Sequence, residues 1–307
     1  MKPYPALAIL AAFTLAAVMA AQAPATAAST APATSQANAS PSTTTSTAPA
    51  NNPPSLAGPT PPDLAAARNL AQEMNNPKSA AAQVLRDIQT FEKQYPASKS
   101  RLGIDYLAMQ YFRERGMMQQ EIAYGQQALK AQPHFLLVLI QLATVIPVAV
   151  RPTDLNRDQM LNQAQTYAQQ ALALAHTEIK PGAGNPPMTA AQAAFWKKAI
   201  HAAAESAYGR IASDRGQAAL AVTDFQKAVA LDSPAGAAQD YFRMGVQQEN
   251  LHQYPDALNS LHMAASMGAN NATLQTLVQA EIKRIQRKQT PATSTTPPGA
   301  PTLTPHF

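Results

Sequence analysis

Residues 203–269 contain one pattern twice. Tyr208-Gly209 returns as Met244-Gly245, Ala221 as Ala257, Phe225 as Leu261 and Ala228 as Ala264, each pair 36 residues apart. Within each copy an Ala follows the Gly by 12 residues, a large apolar residue comes 4 later and another Ala 3 after that. A fixed period with small and large residues at set places is the mark of a stacked structural repeat, in which each unit buries its apolar face against the next. The small residues allow two helices to approach closely, and Phe225 or Leu261 fills the space beside them. This predicts that Gly209→Leu overpacks a helix contact, whereas Gly209→Ala, which gains helix propensity, is neutral.

The rest of the chain reads as helix between two non-globular ends. Lys2 followed by the uncharged apolar run 6–20 and small residues (Val18-Met19-Ala20 or Ala25-Thr26-Ala27) reads as a secretory signal over 1–23. Fifteen helical residues span roughly 22 Å, short of a ~30 Å hydrocarbon core. An uncleaved N-terminal anchor is the alternative; no other integral membrane domain is expected. Residues 24–62 and 289–307 are rich in Ala, Pro, Ser and Thr and cannot bury enough apolar area to offset their ordering entropy, so they are expected to be a disordered linker and tail. The chain has no cysteine, which excludes lipid attachment at cysteine, disulfides, cysteine metal sites and thiol catalysis.

Between these ends, helices are predicted over 63–75, 78–95, 98–115 and 117–131. A further helix over 135–146 is apolar on all sides except Gln141 and Thr144, ends at Pro147, and has the character of a helix buried between neighbours. Thr153 or Asp154 is expected to cap the next helix, running to about His176. Lys180 to Pro187 is the clearest internal break, and Thr189 with Gln192 forms a capping box that opens a long helix to Asp214. A last helix over 271–288 is expected to shield the final repeat. The 98–131 pair fits the repeat in a degenerate form: with Gly116 in the turn, Ala128 falls in register, but Met109 replaces the Gly, and Glu121 and Gly125 stand where Ala and a large apolar residue belong.

The spacing of Gly209, Ala221, Phe225, Ala228 and their copies resembles the tetratricopeptide (TPR) repeat, whose period is 34 residues. The two extra residues fall in the 231–236 loop between units. The resemblance implies an all-α, TPR-like helix–turn–helix solenoid over 63–288. It also implies a concave groove, lined by the first helix of each unit, that holds a protein or peptide partner. Carried over by register, the groove positions are Tyr106, Gln110 and Arg113 in the degenerate unit, Ser206, Arg210 and Ser213 in the next, and Phe242, Val246 and Glu249 in the last. Tyr241 fills the large inward position and Phe242 is expected to face away from Ala257, Leu261 and Ala264. A clamp for a C-terminal carboxylate in this family uses Lys and Asn at such places, and neither is present. The string Tyr95-Pro96-Ala97-Ser98 is similar to a turn common in envelope proteins of the family.

No chemistry competes with that reading. None of the six histidines forms a metal-binding spacing; His201 and Glu205 at i,i+4 read as a solvated pair, and Trp196 as packing between helices. No acid, base or nucleophile constellation is evident, so neither enzyme activity nor a cofactor or metal is expected. The net charge of +5 owes much to Lys283, Arg284, Arg287 and Lys288 at one helix end, without interleaved aromatics, and nucleic acid is not an expected partner. Two functions fit: an exported interaction module of the periplasm or cell envelope, or a structural component tethered by an uncleaved N-terminal helix.

Overall fold

The computed structural model describes residues 61–184, 186–231 and 234–289. The expected signal segment, almost all of the linker and nearly all of the tail therefore lie outside the described residues. Among the described residues there are eleven helices and no strand: α1 (Pro62–Asn75), α2 (Ala81–Gln94), α3 (Arg101–Glu114), α4 (Met118–Ala131), α5 (Leu136–Ala149), α6 (Arg157–Glu178), α7 (Ala190–Asp214), α8 (Ala218–Leu231), α9 (Pro234–Asn250), α10 (Tyr254–Met267) and α11 (Ala272–Gln289). They form an all-α array of TPR-like helical hairpins, divided into two compact units, α1–α4 and α5–α11.

Three hairpins close with the same turn. In α3–α4, α7–α8 and α9–α10 the second residue after the first helix enters the left-handed region: Gly116 at φ 69°, Gly216 at 72° and His252 at 59°. The N–H of that residue bonds back to Arg113, Ser213 or Glu249, and the next N–H bonds to Phe112, Ala212 or Gln248, at 2.9–3.0 Å throughout. This is the paired closure of a Schellman motif, which satisfies carbonyls the helix end leaves orphaned. Gly suits the position because it carries no Cβ penalty. His252 tolerates it with its Nδ1 3.0 Å from the Tyr254 hydroxyl.

Seven residues before each turn and nine after it stand the residues that set the helix contact. A Cβ on Gly209 would lie 2.7 Å from Cδ1 of Phe225, and one on Gly245 would lie 2.9 Å from Cγ of Leu261. Both close approaches exist only because no side chain is present. The expectation that Gly209→Ala is neutral is therefore corrected: the alanine methyl meets a fully buried ring. In α3–α4 the same two register places hold Met109 and Gly125, both buried. Large and small have exchanged helices, which conserves the volume of the contact. The degenerate unit is thus an ordinary hairpin with its knob on the other side.

In the first unit α2 buries Val84, Ile88 and Phe91 along one stripe, and Phe112 stacks on Tyr124 with ring centroids 5.5 Å apart. The Tyr111 hydroxyl donates to the Ser79 carbonyl at 2.9 Å, tying α3 to the start of α2. In the second unit α5 buries Val138, Leu139, Leu142, Ala143 and Ile146, as its all-round apolar character predicts. It does not stop at Pro147, which lies inside the helix; only the last turn follows, so few backbone bonds are lost. Neither Thr153 nor Asp154 caps α6. Asp154 accepts from the Arg151 N–H at 2.8 Å, shaping the preceding turn, and the helix begins at Arg157. Thr189 and Gln192 form the expected capping box, with bonds of 2.8 and 3.2 Å. The helices on either side of the Pro/Gly loop, α6 and α7, pack on one another. On α11, Leu274, Val278, Ile282 and Ile285 are buried against α9 and α10, so this helix closes the apolar end of the last hairpin.

Candidate functional site

The first-helix positions of the second unit are largely bonded to one another. Ser206 Oγ on α7 donates to Asp240 Oδ1 on α9 at 2.8 Å, and Arg243 donates to the same oxygen at 2.7 Å. One helical repeat further on, Gln247 Nε2 donates to Ser213 Oγ at 2.7 Å. These bonds link residues 34 apart and form a polar seam between consecutive first helices. Arg210 lies in the same seam. Burial and the like charge of Arg243 push its guanidinium down to about 10, against the pull of Asp214 and Asp240.

Two of the expected groove positions are engaged within the chain. Phe242 packs, half-buried, against the core cluster that Ala238, Ala257, Leu261 and Ala264 form with Leu274, Val278, Ile282 and Ile285. The cap helix α11 provides the second wall that lets both Tyr241 and Phe242 bury part of their rings. Glu249 is only 2% exposed and lies under α11, paired with Arg284 and with Lys288 Nζ at 2.9 Å. Burial works to raise its carboxyl, but the hydrogen bonding with Glu281 and Lys288 and the Arg284 charge outweigh this and hold it below the ordinary value. The cationic end of α11 is thus partly spent on an internal carboxylate. Val246 is half-buried on the same helix.

In the first unit Tyr106 is buried, and Arg113 donates to Gln110 across 3.5 Å, both half-buried. Burial lowers Arg113, partly offset by Glu121 and then by Tyr106 and Glu114. Close by, Asp105 is buried with Oδ1 lacking a partner. Burial, reinforced by Glu92 and opposed by Arg101, raises Asp105 to about 7. Tyr124 is pushed up to about 12 by burial and by the Glu92 and Asp105 charges.

An open feature of the second unit lies on the other side of the hairpins. The second helices α8 and α10 do not pack on one another, and α9 floors the gap between them. The result is a cleft of about 520 Å³. Tyr241, Met244 and Leu251 form its floor, and Val222 and Met263 its apolar flanks. Its polar lining is almost uncharged: the amides of Gln226, Gln248, Gln253 and Asn259, the hydroxyls of Thr223 and Ser260, and a single carboxylate, Asp256. Ser260 donates to Gln248 Oε1 at 2.7 Å, which fixes that amide. Sequence reasoning missed this cleft because it depends on how far two helices stand apart. The usable signal was Thr223, Gln226, Asn259 and Met263, polar or flexible where a tight contact needs small or branched apolar residues.

The other candidates hold no assembled chemistry. His176 and His201 meet edge to face at 5.3 Å, and Glu205 turns to Lys227 at 3.7 Å rather than pairing with His201. Among the described residues no three potential ligands gather, and no helix is long and apolar enough to cross a membrane. Trp196 is half-buried beside the exposed Phe195.

No protein-family model and no curated protein matches the sequence. Several solved structures do. MamA from Desulfovibrio magneticus RS-1 (residues 41 to the end) is 15% identical over 69% of this chain and 98% of its own, with a TM-score of 0.47. TTC0263, a thermophilic TPR protein of Thermus thermophilus, is 13% identical over 72% of this chain and 99% of its own, with a TM-score of 0.44. The TPR2AB domain of yeast Sti1, solved in complex with pHSP90, is 13% identical over 72% of this chain, also covers 99% of its own, and has a TM-score of 0.27. With scores this low the assignment of the fold rests on the three matching turns and the Gly209–Phe225 and Gly245–Leu261 contacts.

Proposed function

We propose that this protein is a non-catalytic interaction module, exported to the bacterial periplasm or envelope, that holds an extended segment of a partner protein in the α8–α9–α10 cleft. The observation that carries this reading is the cleft's construction. An apolar floor with amides along its walls suits a peptide: amides can bond the peptide backbone while aromatic and thioether side chains take its apolar residues. The first-helix face that the repeat register favours is closed at Ser206, Ser213 and Glu249 by bonds within the chain. With one carboxylate on the walls, the cleft favours a segment of little charge. Export rests on Lys2 and the apolar run 6–20.

Photo-crosslinking in the native host tests the site. A crosslinking residue at Thr223 or Asn259 should give a discrete adduct, and one at Val246 on the first-helix face should not. Adducts from Val246 alone would restore the first-helix groove, and none from any position would remove the interaction reading. Mass spectrometry of the mature N-terminus should find a start within residues 21–28; an intact Met1 in the membrane fraction would favour the tethered structural component.

A further inference from the structure

The first turns of α7 extend past the helices beside them. Arg215 bonds to Gln165 and Asn162 of α6, and His176 meets His201, so the last residue of α6, Glu178, comes level with Ala199. Glu205 reaches Lys227 and Gly209 faces Phe225, which brings Leu231 at the end of α8 level with His201. The bonds of Ser206 to Asp240 and Gln247 to Ser213 set the start of α9, Pro234, level with Ile200. Residues 190–198 therefore project beyond all three by ~13 Å at about 1.5 Å per residue. Between positions 190 and 199 only Ala193 is buried. Phe195 is 55% exposed, although so large an apolar ring gains by leaving water. Trp196 is half-buried, with ring centroids 5.3 Å apart between it and Phe195. Ala191, one turn back, and Lys198, one turn on, share the exposed face with Phe195.

The charge beside these rings has one sign. Lys180, Lys197 and Lys198 are the only Asp, Glu, Lys or Arg residues between Glu178 and Glu205. Glu205 pairs with Lys227, which leaves Glu178 as the one other carboxylate beside them in sequence. The Ala183 N–H bonds to the Lys180 carbonyl at 3.1 Å and the Met188 N–H to the Ala183 carbonyl at 2.8 Å, turning the loop back and keeping Lys180 at this end of α7. Aromatic rings flanked by lysines on a projecting helix suit a bilayer interface, where the rings enter the headgroup layer and the ammonium groups meet lipid phosphates. A face ~13 Å long and one helix wide is well short of the roughly 800 Å² that each partner buries in a stable protein interface. No described helix is long and apolar enough to cross a membrane, so such a contact lies on the surface.

We infer that the start of α7 docks this protein on an anionic lipid surface. The face shares no residue with the α8–α9–α10 cleft, so the contact does not depend on what fills that cleft. Each lysine near such a surface strengthens binding by about fivefold.

Trp196 is the only tryptophan, and its emission reports this face alone. The full chain is titrated with vesicles of phosphatidylglycerol mixed into phosphatidylcholine, and with vesicles of phosphatidylcholine alone. The anionic vesicles shift Trp196 emission to shorter wavelength, and brominated phosphatidylglycerol quenches it; phosphatidylcholine alone leaves it unchanged. High salt reverses the shift, because it screens exposed charges. Lys197→Gln with Lys198→Gln weakens the vesicle affinity by about twentyfold or more. Phe195→Ser weakens it as well, and both variants keep the thermal unfolding curve of the natural protein. An unmoved Trp196 signal with anionic vesicles, even when the chain sediments with them, overturns the inference and places the membrane contact elsewhere. An equal shift from phosphatidylcholine, or an equal affinity in the double-lysine variant, overturns it too. A shift that grows with protein concentration in the absence of lipid overturns it by assigning the face to a second copy of the chain.

Discussion

Replacing Gly209 with alanine asks the most of the fold for the smallest change. The new methyl carbon would stand 2.7, 2.8 and 2.9 Å from Cδ1, Cε1 and Cγ of Phe225, where ordinary contact begins at 3.4 Å. Turning the ring cannot relieve this, because Cγ lies on the turning axis. The whole side chain must retreat by several tenths of an ångström. It has little room: Phe225 is fully buried in a cluster with Ala212, Ala221, Val222 and Met244. Helix propensity favours alanine by about 1 kcal/mol. Overpacking of a tight core contact costs about 1–3 kcal/mol. The net is a loss of about 1 kcal/mol for Gly209→Ala, and for Gly209→Leu, with more atoms to place, about 3 kcal/mol or more.

Urea unfolding followed by circular dichroism measures the loss, and a double-mutant cycle with Phe225→Leu tests its cause. If the ring is the obstacle, alanine costs less in the Phe225→Leu background than beside the natural phenylalanine, with a coupling of at least about 0.5 kcal/mol. A Gly209→Ala protein as stable as the natural one, or strictly additive effects, would refute the argument.

Two further outcomes follow from buried carboxylates. Asp105 has its folded value raised from 3.8 to about 7, so the folded state holds a proton the unfolded chain releases; its stabilising effect is complete below pH 3.8 and fades as pH rises through 7. After allowance for solvent screening, Asp105→Asn should be more stable than the natural protein by about 2 kcal/mol at pH 8 and no more stable at pH 4; parallel thermal-unfolding curves at both pH values would contradict this. Glu249→Gln removes the anchor for Arg284 and Lys288, each about half exposed, and should cost about 1–2 kcal/mol and speed amide exchange along α11; unchanged exchange there would mean the apolar face alone holds the cap.

Much of the fold was legible because it depends on local spacing. Gly209, Phe225 and Ala228 and their copies announce the hairpin through a constant interval, and Thr189-x-x-Gln192 announces a helix start through a bond only three residues long. Met109 and Gly125 were harder. Taken one at a time they look like losses from the pattern, and only as a pair do they conserve volume. The partners of Phe242 and Glu249 were hidden for a related reason. Their surroundings are set by α11, whose packing on the last hairpin is a tertiary fact with no counterpart inside the repeat.

The seam explains why the open chemistry lies where the register did not put it. In α7 and α9 the positions one repeat apart carry complementary short side chains: hydroxyl against carboxylate at Ser206 and Asp240, hydroxyl against amide at Ser213 and Gln247. Each is half-buried or buried, and a half-buried polar group left unpaired costs free energy. Pairing across the repeat removes that cost, and a partner that docked there would have to break the bonds before making its own. The α8–α10 side has the opposite arithmetic. Its Gln248 carbonyl is held by Ser260 inside the hairpin, and the apolar floor of Tyr241, Met244 and Leu251 gains by being covered. A segment that docks in the cleft displaces water rather than protein, and that difference is the reason the partner segment is proposed on the second-helix side.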